Sequence, residues 1–504
     1  MKFNFTTKGE NKVINYEGEE SYRLSPEWQL YTAAVTSSLT DKFYEKAGTR
    51  VETLRKLIAQ CDPVFVAQLA VYARQKMNMR SIPLVLAVEL AKVHKGDATV
   101  SKMVSGIVQR ADEITELLAY YQLANERKDT KKLNRLSKQL QTGLQNTFNR
   151  FDEYQFAKYN RDAEVKLRDA LFLVHPKAKD ESQQELFNKI VNNGLETPYT
   201  WETELSALGQ TKFVSDKEKE MAFRMKWEEL IDSRKVGYMA LMRNLRNILE
   251  SGVSQQHIMK VCEALSNAEA VRRSKQLPFR FLAAYREISI VKSAYASRVL
   301  DALEQAVSVS AENIAGFGEN TKVWIACDVS GSMQSPVSPK SKILSYDIGL
   351  MLAMLLKSRC KNAVTGMFGN EWKVINVPTK GILSNVEAFY CREGEVGYAT
   401  NGYLVIEDLL KSKQQVDKVM IFTDCQLWNN RDDQKIANLW RDYKKVSPNS
   451  KLYLFDLAGY GTTPLNITRE DVYLIAGWSD KVFDIIAAID RGGDALDEIR
   501  ETIL

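Results

Sequence analysis

Residues 322–333 read KVWIACDVSGSM, an apolar run that ends in a carboxylate, a glycine and two hydroxyls. Apolar runs of the same shape recur at 363–369 (AVTGMFG), 417–424 (DKVMIFTD) and 451–459 (KLYLFDLAG). Amphipathic helical patterns lie between and after them, at 342–358, 400–411, 432–445 and 480–489. Buried strands that alternate with helices predict a doubly wound, Rossmann-like parallel sheet covered on both faces.

Oxygen-bearing side chains cluster where the predicted strands end. Asp328, Ser330 and Ser332 form a D-x-S-x-S pattern after the first strand, Thr400 begins a helix, and Asp424 follows a later strand. Ligands of such sheets bind at the carboxyl ends of the strands. A D-x-S-G-S loop alone is more often an Asx-type turn. Thr400 and Asp424 at matching positions favour a site for Mg²⁺ or Mn²⁺, which prefer oxygen ligands.

This constellation resembles the metal-ion-dependent adhesion site of von Willebrand factor A (vWA) domains, and the resemblance covers residues 320–504. It implies that Ser330, Ser332 and Thr400 coordinate the ion directly or through water. Asp328 and Asp424 would supply charge, mostly through bridging waters. One open metal position would then accept an acidic partner side chain. A magnesium-dependent nuclease or other phosphohydrolase is an alternative, although hydroxyl ligands supply no clear nucleophile or base.

The chain before this region has a helical pattern, from Ser25 to about Ala311, with short connections. Later helices are predicted at 218–231, 238–250, 254–267 and 279–309. Successive short helices favour a HEAT-like α-solenoid, and a plain helical bundle is the alternative. The fold class is therefore α + α/β, with a helical domain over 1–319 and the sheet domain over 320–504.

The net charge of +5, from 69 Lys and Arg against 64 Asp and Glu, is unevenly distributed. Residues 320–504 hold 22 basic and 23 acidic side chains, so subtraction leaves 47 and 41, or +6, for residues 1–319. Charge alone bears on association rather than fold, and solvated helix faces are its ordinary explanation.

Five helical segments resemble the TROVE module of the Ro ribonucleoproteins, which precedes a vWA domain in that family. They are NYEGEESYRLSPEWQLY (15–31), MNMRSIPLVLAVELAK (77–92), RDALFLVHPKAK (168–179), KVGYMALMRNLRNIL (235–249) and SKQLPFRFLAAYREI (274–288). The resemblance implies a ring of HEAT-like helices that binds Y RNA on its outer basic surface. It also implies that the ring hole binds single-stranded 3′ ends of misfolded noncoding RNA. The protein would serve RNA quality control or deliver RNA to an exoribonuclease, and would not itself be an enzyme.

Candidate RNA-binding residues follow from this resemblance and from clustered cations, which contact phosphates. Arg168, His175 and Lys177 fall in the R-D-x₅-H-P-K pattern; a helix C-cap before Pro176 is the alternative role of His175. The other candidates are Lys158, Arg161 and Lys166 upstream, and Arg243, Arg246, Arg272, Arg273, Lys275 and Arg280 toward the ring interior or rim. The aromatic residues at helical spacing, Trp201 among them, are typical of core and carry no assignment.

Composition excludes several classes of protein. Six cysteines without a CxxC pair predict reduced thiols, and no apolar run reaches the roughly 18–20 residues of a membrane span. We expect a monomer in the cytoplasm, without signal peptide or membrane partner. A magnesium-dependent protein-binding scaffold, which recruits an acidic ligand through the vWA domain, is the main alternative function.

Overall fold

The computed structural model describes residues 12–37, 47–125, 136–160, 164–312, 314, 316–338, 341–428 and 435–504. The chain forms two compact units. Unit 1 comprises residues 1–57, 277–283 and 307–498, and unit 2 comprises 58–276, 284–306 and 499–504.

Helices dominate the chain before residue 312. They are α1 (Pro26–Val35), α2 (Ala47–Gln60), α3 (Pro63–Gln75), α4 (Ser81–Val93), α5 (Thr99–Ile107), α6 (Ala111–Ala124), α7 (Lys138–Phe148), α8 (Glu153–Tyr159), α9 (Leu167–Val174), α10 (Glu181–Val191), α11 (Trp201–Gly209), α12 (Asp216–Asp232), α13 (Tyr238–Arg243), α14 (Leu245–Glu250), α15 (Gln255–Ser266), α16 (Ala268–Ser274), α17 (Phe279–Ser289) and α18 (Ala296–Ala311). Within unit 2, α3 packs on α4 and α5, α4 on α6, and α5 on α7. This stacking of sequential helices is the local packing expected of a solenoid.

Two predicted helices are each divided in the structure. The helix predicted over 238–250 breaks at Asn244, which ends α13 and begins α14. The single helix predicted over 279–309 is wrong, because α17 ends at Ser289 and α18 begins at Ala296. The Ser293 hydroxyl accepts a hydrogen bond from the Tyr295 amide at 3.3 Å, a local bond that competes with helix continuation.

The remaining elements follow residue 322, except for two N-terminal strands. The strands are β1 (Lys12–Ile14), β2 (Glu20–Arg23), β3 (Val323–Asp328), β4 (Ala363–Phe368), β5 (Trp372–Val374), β6 (Lys418–Thr423), β7 (Lys451–Asp456), β8 (Thr462–Thr463) and β9 (Val472–Ala476). The helices are α19 (Ser345–Arg359), α20 (Ile382–Tyr390), α21 (Tyr403–Ser412), α22 (Ile436–Val446), α23 (Asp484–Asp490) and α24 (Ala495–Arg500).

The main sheet has six strands in the order β5-β4-β3-β6-β7-β9. All neighbours are parallel except β5, which pairs antiparallel with β4 at one edge. Numbered within the sheet, this is the order 3-2-1-4-5-6 of the doubly wound fold. The predicted α + α/β fold class is therefore confirmed, and the four predicted strands are β3, β4, β6 and β7.

The N-terminal strands belong to unit 1, which the sequence did not indicate. Strand β2 pairs with both β1 and β8 in a small antiparallel sheet. The buried guanidinium of Arg50 donates to the carbonyls of Ala458 at 2.9 Å and Gly459 at 2.6 Å. The described residues 12–37 and 47–57 thus belong to the same compact unit as the main sheet.

Candidate metal centre and RNA-binding surfaces

The five predicted metal-site residues lie together at the point where the strand order of the main sheet reverses. Asp328 ends β3, Asp424 follows its parallel neighbour β6, and Ser330 and Ser332 occupy the loop after β3. The carboxyl ends of two strands that diverge to opposite sides leave a crevice, which is where ligands of doubly wound sheets bind. Each of the five residues is buried, with at most 5% of any of them exposed.

Hydrogen bonds hold the acidic and hydroxyl groups in fixed orientations. Asp328 Oδ1 accepts from the Ser330 amide at 2.9 Å, and Asp328 Oδ2 accepts from the Thr423 hydroxyl at 2.6 Å. The hydroxyl oxygens of Ser330 and Ser332 are 3.2 Å apart. Asp424 Oδ1 accepts from the Gln426 amide at 2.9 Å. Each carboxylate therefore has one oxygen or more committed to the protein.

Backbone hydrogen bonds connect the three loops that carry these residues. The Gly331 amide donates to the Tyr398 carbonyl at 3.0 Å, which links the D-x-S-x-S loop to the segment before Thr400. The Trp428 amide donates to the Thr400 carbonyl at 3.0 Å, which links that segment to the loop after β6. The loops thus form one framework, and the relative positions of the site oxygens are preset.

The electrostatics of this framework favour a cation. Burial raises the pKa of Asp328, and hydrogen bonds from Ser330 and Thr423 offset part of that effect. Burial also raises the pKa of Asp424, and the neighbouring charge of Asp328 raises it further. Two buried carboxylates that repel each other are stabilised by a positive ion between them.

Two oxygens at this point lack hydrogen-bond partners in the part of the chain that the structure describes: Thr400 Oγ1 and Asp424 Oδ2. Buried polar atoms without partners are rare, and an ion is one of the few ways to satisfy them. No three His, Cys, Asp or Glu side chains converge as a metal centre among the described residues. The donor set therefore fits a hard divalent ion only if hydroxyls share in the coordination.

Sequence reasoning missed the residues that surround the site. Thr423 orients Asp328. The side chain of Gln426 accepts from the Tyr16 amide at 3.0 Å, and Asn15 Nδ2 donates to the Leu427 carbonyl at 2.9 Å. Thr423 could have been suspected from its place before Asp424. No local signal marks Asn15 or Tyr16, which lie more than 400 positions from their partners.

The predicted cations of the R-D-x₅-H-P-K pattern lie on and after α9. Lys166 is the N-cap of the helix, Arg168 lies in its first turn, and His175 is its C-cap in the left-handed conformation, with φ of 49°. The C-cap role of His175 is therefore observed, and its side chain is exposed together with those of Lys166, Arg168 and Lys177. The guanidinium of Arg168 lies 5.8 Å from the ring centre of exposed Phe172.

Three carboxamides, two on α7 and one at its C-cap, fix the loop that carries His175 and Lys177. Gln141 and Gln145 both donate to the Val174 carbonyl, at 3.1 and 3.0 Å. Asn149 donates to the Lys177 carbonyl at 2.8 Å and accepts from the Lys179 amide at 3.0 Å. These three side chains, spaced four residues apart, share one face of α7. We call this set the α7 clamp.

Two further predicted cations, far apart in sequence, meet in one cleft of unit 2. Lys158 and Arg243 both line a cleft of about 820 Å³. Neither forms an ion pair within the described ranges, although the Lys158 ammonium lies 5.6 and 5.7 Å from the ring centres of Tyr154 and Tyr159. The cleft therefore holds positive charge that no carboxylate of the described residues neutralises by an ion pair.

The remaining candidates are dispersed. Arg246 pairs with Glu250 at 2.8 Å and Glu287 at 3.7 Å, and Arg273 pairs with Glu269 at 2.9 Å. Arg272 and Lys275 are exposed at the end of α16, and Arg280 is exposed on α17 in unit 1. Arg161 lies outside the described residues.

Fold and site define a class: a helical domain followed by a vWA-type sheet with a buried oxygen-rich crevice. Family models agree with that class. The chain matches the TROVE domain over residues 29–197 and 191–313, and the Ro60 vWA domain over 322–489. The chain therefore belongs to the Ro family of RNA-binding TROVE-domain proteins.

Similar proteins extend this picture. The telomerase protein component 1 of Rattus norvegicus is 26% identical over 348 residues, or 53% of this chain, and that of Mus musculus is 26% identical over 319 residues, or 48%. The matched regions span only 13% and 12% of those relatives. The crystal structure of the Deinococcus radiodurans Ro (RSR) protein has the same fold, with a TM-score of 0.58 and 18% identity over 93% of this chain and 100% of that one. None of the described helices is both long and apolar enough to cross a bilayer.

Proposed function

We propose that this protein binds Y RNA on an exposed basic surface and binds the single-stranded 3′ ends of misfolded noncoding RNA at a second site. In this proposal the protein serves RNA quality control, or hands RNA to an exoribonuclease, in the cytoplasm, and catalyses no reaction itself. Family membership supports RNA as the partner class, and the lack of a disulfide bond at the six cysteines, all of them among the described residues, agrees with a reducing compartment.

The observation that carries the proposal is the α9 surface, defined by exposed Lys166, Arg168, His175 and Lys177. Phosphate contacts need cations that are exposed and held in position, because the backbone of a folded RNA presents charges at fixed spacing. The α7 clamp supplies this rigidity to the loop of His175 and Lys177. A merely solvated helix face would not need a loop fixed by three side chains.

The second part of the proposal concerns the buried crevice at the sheet. There Asp328, Ser330, Ser332, Thr400 and Asp424 hold Mg²⁺, or another divalent ion such as Mn²⁺. The ion would neutralise two carboxylates and satisfy two orphaned oxygens. When bound, it would offer an electrophilic position to an acidic side chain of a protein partner, such as a nuclease.

RNA binding is tested with the purified full chain and three labelled RNAs: a hairpin with a single-stranded 3′ tail, the tail alone, and a blunt duplex. We expect the first two to bind more tightly than the duplex at 0.15 M salt, with an affinity that falls steeply as salt rises. Equal, weak binding of all three would contradict the proposal. Sequencing the RNA that copurifies with the protein would identify its natural ligand.

A magnesium-dependent protein scaffold remains a second candidate, because the crevice needs no RNA to recruit an acidic ligand. Its signature is a protein partner that is retained in Mg²⁺, released by EDTA and lost with Asp328→Ala, with no RNA in the eluate. A magnesium-dependent nuclease is the third candidate. It predicts cleavage of labelled RNA that disappears in both Asp328→Ala and Asp424→Ala.

A further inference from the structure

The cleft that Lys158 and Arg243 share contains more than positive charge. Trp201, at the start of α11, also lines it, together with Asn160 and Asn247. Its volume of about 820 Å³ lies in the range of roughly 300–1,000 Å³ that is typical of sites for small molecules. A cleft of this size is suited to individual nucleotides rather than to the wide face of a double helix.

Trp201 is positioned as a stacking platform. Its ring stacks on that of Trp227 with centroids 6.5 Å apart and an angle of 18° between the planes. Trp227 is 3% exposed, whereas Trp201 is only partly buried. One face of Trp201 is thus supported by a core residue, and the indole still borders the cleft. Proteins bind unpaired bases on aromatic faces of this kind.

The amides beside Trp201 are preset for hydrogen bonding. Asn244 donates to the Ala240 carbonyl at 2.8 Å and accepts from Asn247 Nδ2 at 2.9 Å. This chain of bonds fixes the carboxamide of Asn247, which is exposed and has further donor and acceptor capacity. A carboxamide carries both a donor and an acceptor, and can therefore pair with the edge of a base.

The mixed charges of the cleft favour a nucleotide, with both base and phosphate, over a polyanion that offers phosphates alone. Glu196 and Glu202 line the same cleft as Lys158 and Arg243. A uniformly basic groove would attract any polyanion, whereas mixed charge favours a phosphate beside the two cations and an uncharged base elsewhere. The composition therefore matches a splayed, single-stranded nucleotide.

From this geometry we infer that the cleft reads an unpaired nucleotide of single-stranded RNA, with its base stacked on Trp201, its base edge on Asn247 and its phosphate on Arg243 and Lys158. The inference rests on the proposed RNA-binding function and deepens it. It adds direct contact with a base to the phosphate contacts already assigned to Arg243 and Lys158.

The test measures the affinity of the full-length protein for a labelled eight-nucleotide RNA, and for the same RNA with one abasic nucleotide at each position in turn. Trp201→Ala is expected to weaken binding roughly 5- to 140-fold, the range that corresponds to about 1–3 kcal/mol for a stacked base. Trp201→Phe, which keeps an aromatic face and the packing on Trp227, should recover most of that loss. One abasic position should weaken the wild type by a similar factor and leave Trp201→Ala unaffected.

A second pair of variants separates the phosphate contact from the base contact. Arg243→Ala should reduce the slope of log affinity against log salt by about 0.7, as expected for one contact with a single strand. The matched control is Arg224→Ala on α12, whose side chain pairs with Glu228 at 3.3 Å and does not line the cleft. It should leave both affinity and slope unchanged.

The outcomes separate this inference from the proposed function. If no RNA binds the wild type, the proposed function fails. If single-stranded RNA binds the wild type and Trp201→Ala equally well, or if abasic nucleotides weaken both proteins equally, RNA binding stands and the cleft is not a base-reading site.

Discussion

The buried oxygen-rich crevice and the α9 surface are built in opposite ways. In the crevice, five side chains from three loops are buried, and hydrogen bonds from the protein fix both carboxylates. On the α9 surface, three exposed cations and the exposed imidazole of His175 project from a helix and a loop, and hydrogen bonds clamp the backbone of that loop. Burial and hydrogen bonds thus fix the side-chain oxygens of the crevice. On the α9 surface, the α7 clamp fixes the backbone of the loop but not the charged ends of its side chains.

This difference predicts how each region responds to mutation. In the buried crevice, the loss of one oxygen should abolish the proposed ion binding, because the remaining oxygens no longer complete the coordination. An exposed surface loses affinity in steps, since each cation contributes a separable, salt-screened share. We expect a substitution in the crevice to have the largest effect, and a substitution of an exposed, already paired cation to have the smallest.

The largest effect is expected for Asp424→Asn. The wild type should be stabilised by saturating Mg²⁺, by about 2.7 kcal/mol at a concentration of one hundred times Kd. The variant should gain no such stabilisation. In EDTA it should be at least as stable as the wild type, because the substitution removes one of two buried, mutually repelling charges. Thermal unfolding with and without Mg²⁺ measures both quantities.

Asp490→Asn is the matched control, because Asp490 is an exposed acid that pairs with Lys418 and Lys451. It should retain the full response to Mg²⁺. A stabilisation by Mg²⁺ that survives in Asp424→Asn would show that the ion binds elsewhere.

The contrast also explains what the sequence could and could not predict. Strands β3, β4, β6 and β7 were predictable, because each is largely a buried apolar run. Of the five crevice residues, four lie at or just after the end of β3 or β6, and Thr400 precedes α21, so the alternation of strands and helices was enough to group them. The N-terminal strands were not, since β2 pairs with β8 some 440 positions later and both are short. No periodicity encodes a contact at that separation.

The predicted cations show the same limit. The pattern around Arg168 and Lys177 identified an exposed surface, but nothing in the sequence revealed that Lys158 and Arg243 would share a cleft. Nor could it separate Arg243 from Arg246, three positions apart, because their environments depend on the packing of α13 and α14. Trp201 was set aside because aromatic residues at helical spacing usually lie in the core, as its neighbour Trp227 does.

The second largest effect is expected when both Arg168 and Lys177 are changed to Glu. Each lost phosphate contact should cost roughly a factor of ten in affinity for the tailed hairpin at 0.1 M salt, and the slope of log affinity against log salt should fall by about 2. Binding of the single-stranded tail alone should change much less. Filter binding across a salt series measures these effects.

Lys217→Glu with Lys219→Glu provides the control for net charge, because both lysines are exposed on α12 and belong to no proposed site. Equal losses in the two double variants would mean that overall charge, and not the α9 surface, drives binding to the hairpin.

A smaller effect is expected for Asn149→Ala in the α7 clamp. The substitution removes two hydrogen bonds to the loop after α9, and at about 0.5–1.5 kcal/mol each it should lower the free energy of unfolding by about 1–3 kcal/mol. Hydrogen exchange at the Lys179 amide should accelerate. Affinity for the tailed hairpin should fall only a few fold, because the cations remain. Gln184→Ala, which removes an exposed pair with Asn188, should change neither exchange nor affinity.

The smallest effect is expected for Arg246→Ala, and it separates two neighbours that look equivalent in sequence. Arg246 is exposed and already paired with Glu250 and Glu287, so much of its charge is neutralised within the protein. Exposed ion pairs contribute little to stability, and the variant should unfold at nearly the wild-type temperature. Its affinity for single-stranded RNA should stay within about twofold of the wild type, whereas Arg243→Ala reduces both affinity and salt slope. Equal losses in the two variants would show that RNA displaces the ion pairs of Arg246, so that the binding surface extends beyond the cleft along this side of the helical domain.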